Sequence, residues 1–324
     1  MTALTSLLDI DAAASRIRPS IVRTPLIDVS TRAGRCLRLK CENLQVAGAF
    51  KIRGAFNFIN QLPDELRARG IVTYSSGNHG QAVAYAAREL GVPAVVVMPE
   101  TAPAIKVDGV RTYGAELIFE GTTSIQRKAQ AEKIASARGL TIVPPFDHID
   151  IIAGQGTVGS EILADAPAVD TVYVPVGGGG LIAGVAAAIK QSRPTARVVG
   201  VEPVGAAKMA ASRKVGRPVT LDSVTSIADG LLPVRPGDLT FAHAQAFVDE
   251  LVAVDDTAIV RAVDWLLHQA KLVVEPSGAA SVAAVLFGGS GCALSDSGET
   301  VAIISGGNIA LADLVGLLQR YGGT

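Results

Sequence analysis

The 324-residue chain is poor in most features that mark extracellular, membrane-bound or nucleic-acid-binding proteins. Its three cysteines, Cys36, Cys41 and Cys292, are an odd number without metal-ligand spacing, so no disulfide framework or zinc site is predicted. Reduced thiols in a cytoplasmic protein are the simplest account of them. The four histidines, His79, His148, His243 and His268, lie far apart and add no ligand pattern. No apolar run approaches the roughly 20 residues that a membrane span needs. The N-terminus carries Asp9, Asp11 and Arg16 among its apolar residues, which a signal peptide would not. An excess of one charge is also missing. Against 30 acidic residues there are 29 basic ones, and a net charge of −1 gives no electrostatic case for nucleic acid or an anionic membrane. Charge blocks, low-complexity tracts and short repeats are absent from the sequence.

What is present is apolar and rich in glycine-bearing turns. Hydrophobic residues make up 49% and charged ones 18%, a composition that builds a large core, and at this length two lobes are expected rather than one. From Gly70 onward strand and helix patterns alternate. Ile71 to Tyr74, Ala94 to Met98, Glu116 to Phe119 and a strand starting at Ile142 are separated by helical segments, Gln81 to Leu90 and Thr123 to Arg138. That is βαβ order, which implies parallel strands. Helices are also predicted over Leu4 to Ile17, from Ala49 to Phe56, from Ile151, and over Asp255 to Gln269, whereas residues 203–240 read as irregular.

Three strands run into glycine-rich polar turns and then helices: Ser75 to Gly80, Gly177 to Gly180, and Ser305 to Asn308. In open α/β sheets ligands bind beyond the carboxyl ends of strands, so all three turns could face one cleft. Gly177, Gly178, Gly179 and Gly180 follow the apolar run Val172 to Val176, and an alanine-rich helix follows them. Bare backbone N–H groups at a helix start form an anion site, most often for phosphate. Two owners of that phosphate remain open. Gly178, Gly180 and Ala183 fit the dinucleotide pattern G-x-G-x-x-G/A, with Glu202 near where a ribose-binding acid belongs. That reading makes the protein a nicotinamide dehydrogenase, but it explains only one of the three turns.

Taken together, Lys40-Cys-Glu-Asn-Leu-Gln45, Phe50-Lys-Ile-Arg-Gly-Ala55, Ser75-Ser-Gly-Asn-His-Gly-Gln81, Ala153-Gly-Gln-Gly-Thr157, Val174 to Gly184 and Ser305-Gly-Gly-Asn308 resemble, in order, the motifs of fold-type II pyridoxal-phosphate enzymes. The branch is that of serine/threonine dehydratases (threonine ammonia-lyases) and serine racemase, and the resemblance spans about residues 15 to 310. It implies an α/β fold like that of the tryptophan synthase β chain, with two open, twisted, mostly parallel lobes and pyridoxal 5'-phosphate between them. Residues 1–69 and 148–324 would form the large cofactor-binding domain and residues 70–147 the small one.

The resemblance makes Lys51 the Schiff-base lysine and then the base that takes the substrate α-proton. Gly177, Gly178, Gly179, Gly180 and Leu181 would hold the phosphate, Asn78 the ring hydroxyl, and Phe50 would pack near the ring. Ser305 would lie against the pyridine nitrogen, where a hydroxyl does not favour ring protonation and suits β-elimination. Ser75, Ser76, Gly77, Asn78 and His79 would bind the substrate carboxylate, with Ser76 opposite Lys51 as a second acid/base. The implied reaction is dehydration and deamination of L-threonine and/or L-serine to a 2-keto acid and ammonia. Alternatives on the same framework are an amino-acid racemase, because Ser76 is present, and a dehydratase for a bulkier β-hydroxy amino acid.

Three positions depart from the family pattern. Ala49 stands where a serine is common, and Pro233, beyond Ala228-Asp-Gly230, where a substrate-side serine is common. Serine racemase and some relatives bind a divalent ion near the position of Glu202, but here Lys208 replaces the second acid and could pair with Glu202, so no metal is expected. The resemblance further implies a homodimer. The chain ends about sixteen residues after Asn308, which leads us to expect no C-terminal regulatory domain.

Overall fold

The structure, a computed structural model, describes residues 3–75, 77–288 and 298–321. Among these residues ten strands occur: β1 (Leu26–Asp28), β2 (Leu37–Cys41), β3 (Ile71–Tyr74), β4 (Ala94–Met98), β5 (Glu116–Phe119), β6 (Thr141–Ile142), β7 (Thr171–Pro175), β8 (Arg197–Pro203), β9 (Glu250–Val254) and β10 (Thr300–Ile304). They form two sheets, one with the order β1-β2-β10-β7-β8-β9 and one with the order β5-β4-β3-β6. Only β1 and β2 pair antiparallel.

Why these strands read as unbroken apolar runs is visible in their packing. Helices cover both faces, so both sets of alternating side chains are buried. Val172 and Val174 of β7 join Val301 and Ile303 of β10 in one core, whereas Tyr173, Ala302 and Ile304 join another on the opposite face. In the smaller sheet Val95 and Val97 face one cluster, and Val96 and Met98 the other.

Close helix packing sets the position of the helix that begins at Lys51. Helix Lys51–Asn60 crosses helix Ile149–Asp165 at Gly54 and Gly154, where a Cβ on Gly154 would stand 2.6 Å from Gly54 Cα. Gly184 of helix Gly180–Ser192 meets the main chain of the same long helix at Ile152 and Gly156. Small residues at these crossings let three backbones approach one another and fix the angle of each helix.

Several elements differ from the sequence reading. Residues 203–240 hold helix Lys208–Val215, and helix Asp238–Phe247 starts near their end. Strand β9 and helix Pro276–Phe287 were not anticipated at all. The helix expected to end at Gln269 is regular only over Asp256–Trp265 and closes with a wider turn at Leu266–Ala270. The helix that follows the Ser305 to Asn308 turn starts at Leu311.

Candidate active site

Lys51 owes its position to an unusual approach of the chain. Ala47 and Gly48 both take positive φ values, of 59° and 70°, which turn the backbone sharply before the helix. A side chain at Gly48 would collide with Asn308, so the turn also needs the missing Cβ. Ala49 then pairs with Gly306, and Phe50 N donates to Ser305 O at 3.1 Å. The first helical residue, Lys51, projects its amine to Pro145 O at 2.8 Å, 5.3 Å from the centre of the Phe50 ring. Desolvation pushes its pKa down from 10.5 to about 8, so the neutral amine is far more populated near physiological pH than that of an ordinary lysine.

The glycine bend is held rigidly from outside. Val176 N donates to Val201 O at 2.8 Å, and Gly178 O accepts from Thr240 Oγ1 at 2.7 Å. Thr240 is fixed in turn because the Asp147 carboxylate accepts from the amides of Asp238, Leu239 and Thr240 at 2.9–3.1 Å. Gly179 has φ +100°, and side chains at Gly178 or Gly180 would run into Phe146. Among the described residues no acceptor is hydrogen-bonded to the main-chain N–H of Gly177, Gly178, Gly179, Gly180 or Leu181. Five adjacent free donors at the start of a 13-residue helix make a strong anion cradle.

The other two turns meet directly. Asn78 opens helix Asn78–Leu90, and its carbonyl accepts from Asn308 Nδ2 at 3.0 Å. Its amide nitrogen donates to Glu275 and keeps a second N–H. Burial holds the Glu275 carboxyl above its ordinary range, with Lys106 pulling the other way and Asp229 adding to the rise. Lys106 Nζ forms an ion pair with Asp229 and lies 3.7 Å from Glu275. The stem of Lys106 also fills the space beside Gly77, while Ser75 Oγ accepts from Gly77 N at 3.1 Å. Ser305 is buried, with its hydroxyl 3.4 Å from Ser277 O. Ser277 Oγ accepts from Gly230 N at 2.8 Å, and a Cβ at Gly177 would stand 2.8 Å from Gly230 O, which closes the circuit back to the glycine bend.

Lys51, Phe50, Asn78, Ser305 and the glycine bend are therefore linked through one connected set of contacts. His79 is placed differently from its neighbours. Its ring is buried 3.3 Å from Val143 O, and burial together with the nearby Lys51 charge pushes its pKa down to about 3. The imidazole therefore stays neutral, buried close to Lys51. Ser76 lies outside the described residues.

The sequence reading gave no role to Lys106, Pro145, Phe146, Asp229, Glu275 or Ser277. Glu275 had a detectable signal: a glutamate before Pro276-Ser-Gly278 and an alanine-rich run marks a helix start with proline at its first position. Phe146 and Lys106 had none, because they matter through what they touch across the fold.

These residues fit pyridoxal phosphate on structural grounds alone: a desolvated amine stands beside an aromatic ring, with free amides suited to a phosphate and a spare carboxamide N–H nearby. Residues 17–306 match the family described as pyridoxal-phosphate dependent enzyme. The chain is 43% identical to serine racemase of Oryza sativa subsp. indica over 307 residues, covering 93% of this chain and 90% of that one. It is 45% identical to L-threonine ammonia-lyase of Thermotoga maritima over 308 residues, covering 94% and 76%. The solved structure of maize serine racemase superposes with a TM-score of 0.92 at 40% identity and 98% coverage of both chains. The two mostly parallel sheets are thus those of the fold-type II enzymes, and the chain belongs to the family of pyridoxal-phosphate dependent enzymes.

Proposed function

We propose that this protein is an ammonia-lyase that dehydrates and deaminates L-threonine and/or L-serine to a 2-keto acid and ammonia. The observation that carries this reading is the Lys51 amine, desolvated to a pKa of about 8 in the same connected set of contacts as the glycine bend. The relatives named for L-threonine ammonia-lyase and serine racemase support the choice of a β-hydroxy amino acid. The racemase reading leans on Ser76 and keeps its place as the alternative. Within this proposal residues 1–69 and 148–324 form the cofactor-binding domain and residues 70–147 a smaller domain that closes over it. The protein works in the cytoplasm as a homodimer, which sedimentation can check.

In this proposal Lys51 holds the cofactor through its amine, and the amides of Gly177 to Leu181 hold the phosphate. When bound, pyridoxal phosphate supplies an electron sink that stabilises negative charge at the substrate α-carbon. The protein's own part is to bind, orient and move protons. The start of helix Asn78–Leu90, with the Ser75 to His79 turn, offers main-chain donors to the substrate carboxylate. Asn78 is oriented by Asn308 and Glu275, which fixes the face it presents. The neutral Lys51 amine would accept the α-proton, while Phe146 packs on the glycine bend and the Lys106 stem beside Gly77.

The test is a panel of L-threonine, L-serine and D-serine in which keto-acid release and enantiomer inversion are measured side by side. Keto-acid release should dominate, and Lys51→Ala should lower it by about 10²–10⁴-fold or more. Inversion greatly exceeding keto-acid release rejects the lyase assignment. A protein that stays colourless after incubation with pyridoxal phosphate rejects the cofactor site as drawn.

A further inference from the structure

The fully buried side chain of Lys208 ends in a shell made only of oxygen. Its Nζ donates to Val176 O at 2.9 Å, Ala206 O at 3.0 Å and Leu231 O at 3.0 Å, and lies 3.2 Å from Glu202 Oε1. Three carbonyls that each take an N–H require three protons on the nitrogen, so the group is an ammonium. Glu202 is itself buried and fully engaged. Its two oxygens accept from the amides of Met209 and Ala210, both at 2.9 Å, at the start of the helix that Lys208 opens.

This shell suits a large cation better than a small one. Oxygens near 3 Å match an ammonium ion, whereas Mg²⁺ binds at about 2.0–2.1 Å and Ca²⁺ at about 2.3–2.6 Å. The divalent ion that the family resemblance suggests near Glu202 does not fit here, because the lysine's own charge fills the position. The three carbonyls come from separate loops that meet at the active site. Val176 directly precedes the glycine bend, Leu231 follows Gly230, which packs on Gly177, and Ala206 lies in the turn after β8. Without a cation the three carbonyl dipoles and the Glu202 carboxylate would be buried with no counter-charge.

We propose that Lys208 is a tethered structural cation, a positioning residue that holds the glycine bend and the 229–231 turn in register. The protein accordingly needs no exchangeable metal. Removal of the tether uncovers a latent monovalent-cation site formed by Val176 O, Ala206 O, Leu231 O and Glu202. The proposal deepens the lyase reading, yet two of its three measurements use no substrate.

The experiment compares the wild-type holoenzyme with Lys208→Ala in a choline buffer, then with added ammonium, potassium, sodium or magnesium chloride. Thermal midpoint, affinity for pyridoxal phosphate and keto-acid release are each recorded. Wild type should be unchanged by chelator or by any of the cations. Lys208→Ala should bind the cofactor about tenfold or more weakly and melt lower, with both restored by ammonium or potassium but not by choline. A wild-type enzyme inactivated by chelator overturns the proposal, as does a folded variant with wild-type cofactor affinity or one that no cation restores. Should Lys208→Ala fail to fold in choline, folding in ammonium supports the proposal. Failure in every salt shifts the decision to Lys208→Gln, which fills the cage without charge and should show the same weakened cofactor binding. Wild-type affinity in that variant overturns it. Absence of keto acid from wild type with the cation responses intact would refute the lyase reading alone.

Discussion

A lysine whose amine is buried against a ring and a carbonyl has an acid–base behaviour that can be read directly. Desolvation lowers the Lys51 pKa from 10.5 to about 8, so the folded protein binds fewer protons than the unfolded chain between those two values. Two consequences share that sign. Stability of the cofactor-free protein gains from Lys51 as pH rises from about 8 to 10.5, and the penalty is complete below that window. Reaction with pyridoxal phosphate needs the neutral amine, so its rate at fixed cofactor should climb between about pH 7 and about pH 9 with a midpoint near 8. Following the visible absorbance of the reconstituted protein checks this, and a midpoint near the ordinary lysine value would contradict the burial argument. Lys51 and Asn78 were legible in the sequence because each sits at a turn-to-helix junction within a recognisable motif. Glu275, which orients Asn78 from 197 residues away in the chain, was legible only as the residue before a helix start, since nothing local reveals that it faces Asn78.

At the level of elements, the glycine bend carries its instructions in backbone form. Gly179 combines φ +100° with a neighbourhood in which a Cβ would stand 2.8 Å from atoms of Thr240 and Met209. Gly216 is a natural control, because it has φ +78° and open space around its Cβ position. Gly179→Ala should therefore cost more than the roughly 1–2 kcal/mol of left-handed strain alone, and should weaken pyridoxal-phosphate binding as well. Gly216→Ala should cost about the strain term and leave cofactor affinity untouched. Denaturant midpoints and cofactor titrations of both variants separate the two effects, and equal losses in the two would mean that the bend has no special packing. The same bend shows what element-scale reading can do. β3, β4 and β5 matched expectation residue for residue because their apolar runs are bounded by turns. β9 was missed although Leu251 to Val254 form an apolar run like that of β5, and although both strands sit at sheet edges. Helix Lys208–Val215 was missed because its start is set by Glu202, a cap supplied from the preceding strand rather than from the helix's own sequence.

For the whole molecule the question is what joins the body built on the four-stranded sheet to the body built on the six-stranded one across the site. Asn78 reaches Asn308 and Glu275 from one side, and Lys106 reaches Asp229 from the same side. Lys106 is buried, and although burial alone would lower its pKa, Glu275 and Asp229 together hold it above the ordinary lysine value. It therefore stays charged through the whole range in which Lys51 titrates. Asp229 is partly open to solvent, with 40% of its side chain exposed, so its removal leaves a buried ammonium facing Glu275 and the loss is moderate rather than extreme. A tie of this kind has a definite signature. Lys106→Gln and Asp229→Asn should each lower stability, and the double variant should fall short of their sum by a coupling of about 0.5–3 kcal/mol. The same three variants should raise KM for the amino acid more than they lower kcat, because the contact joins the two sides of the site and touches no transferred proton. Urea unfolding and steady-state kinetics on the set measure both quantities. Strict additivity in stability, or a fall in kcat at constant KM, would mean that the two bodies are joined elsewhere and that Lys106 serves only to fill space beside Gly77.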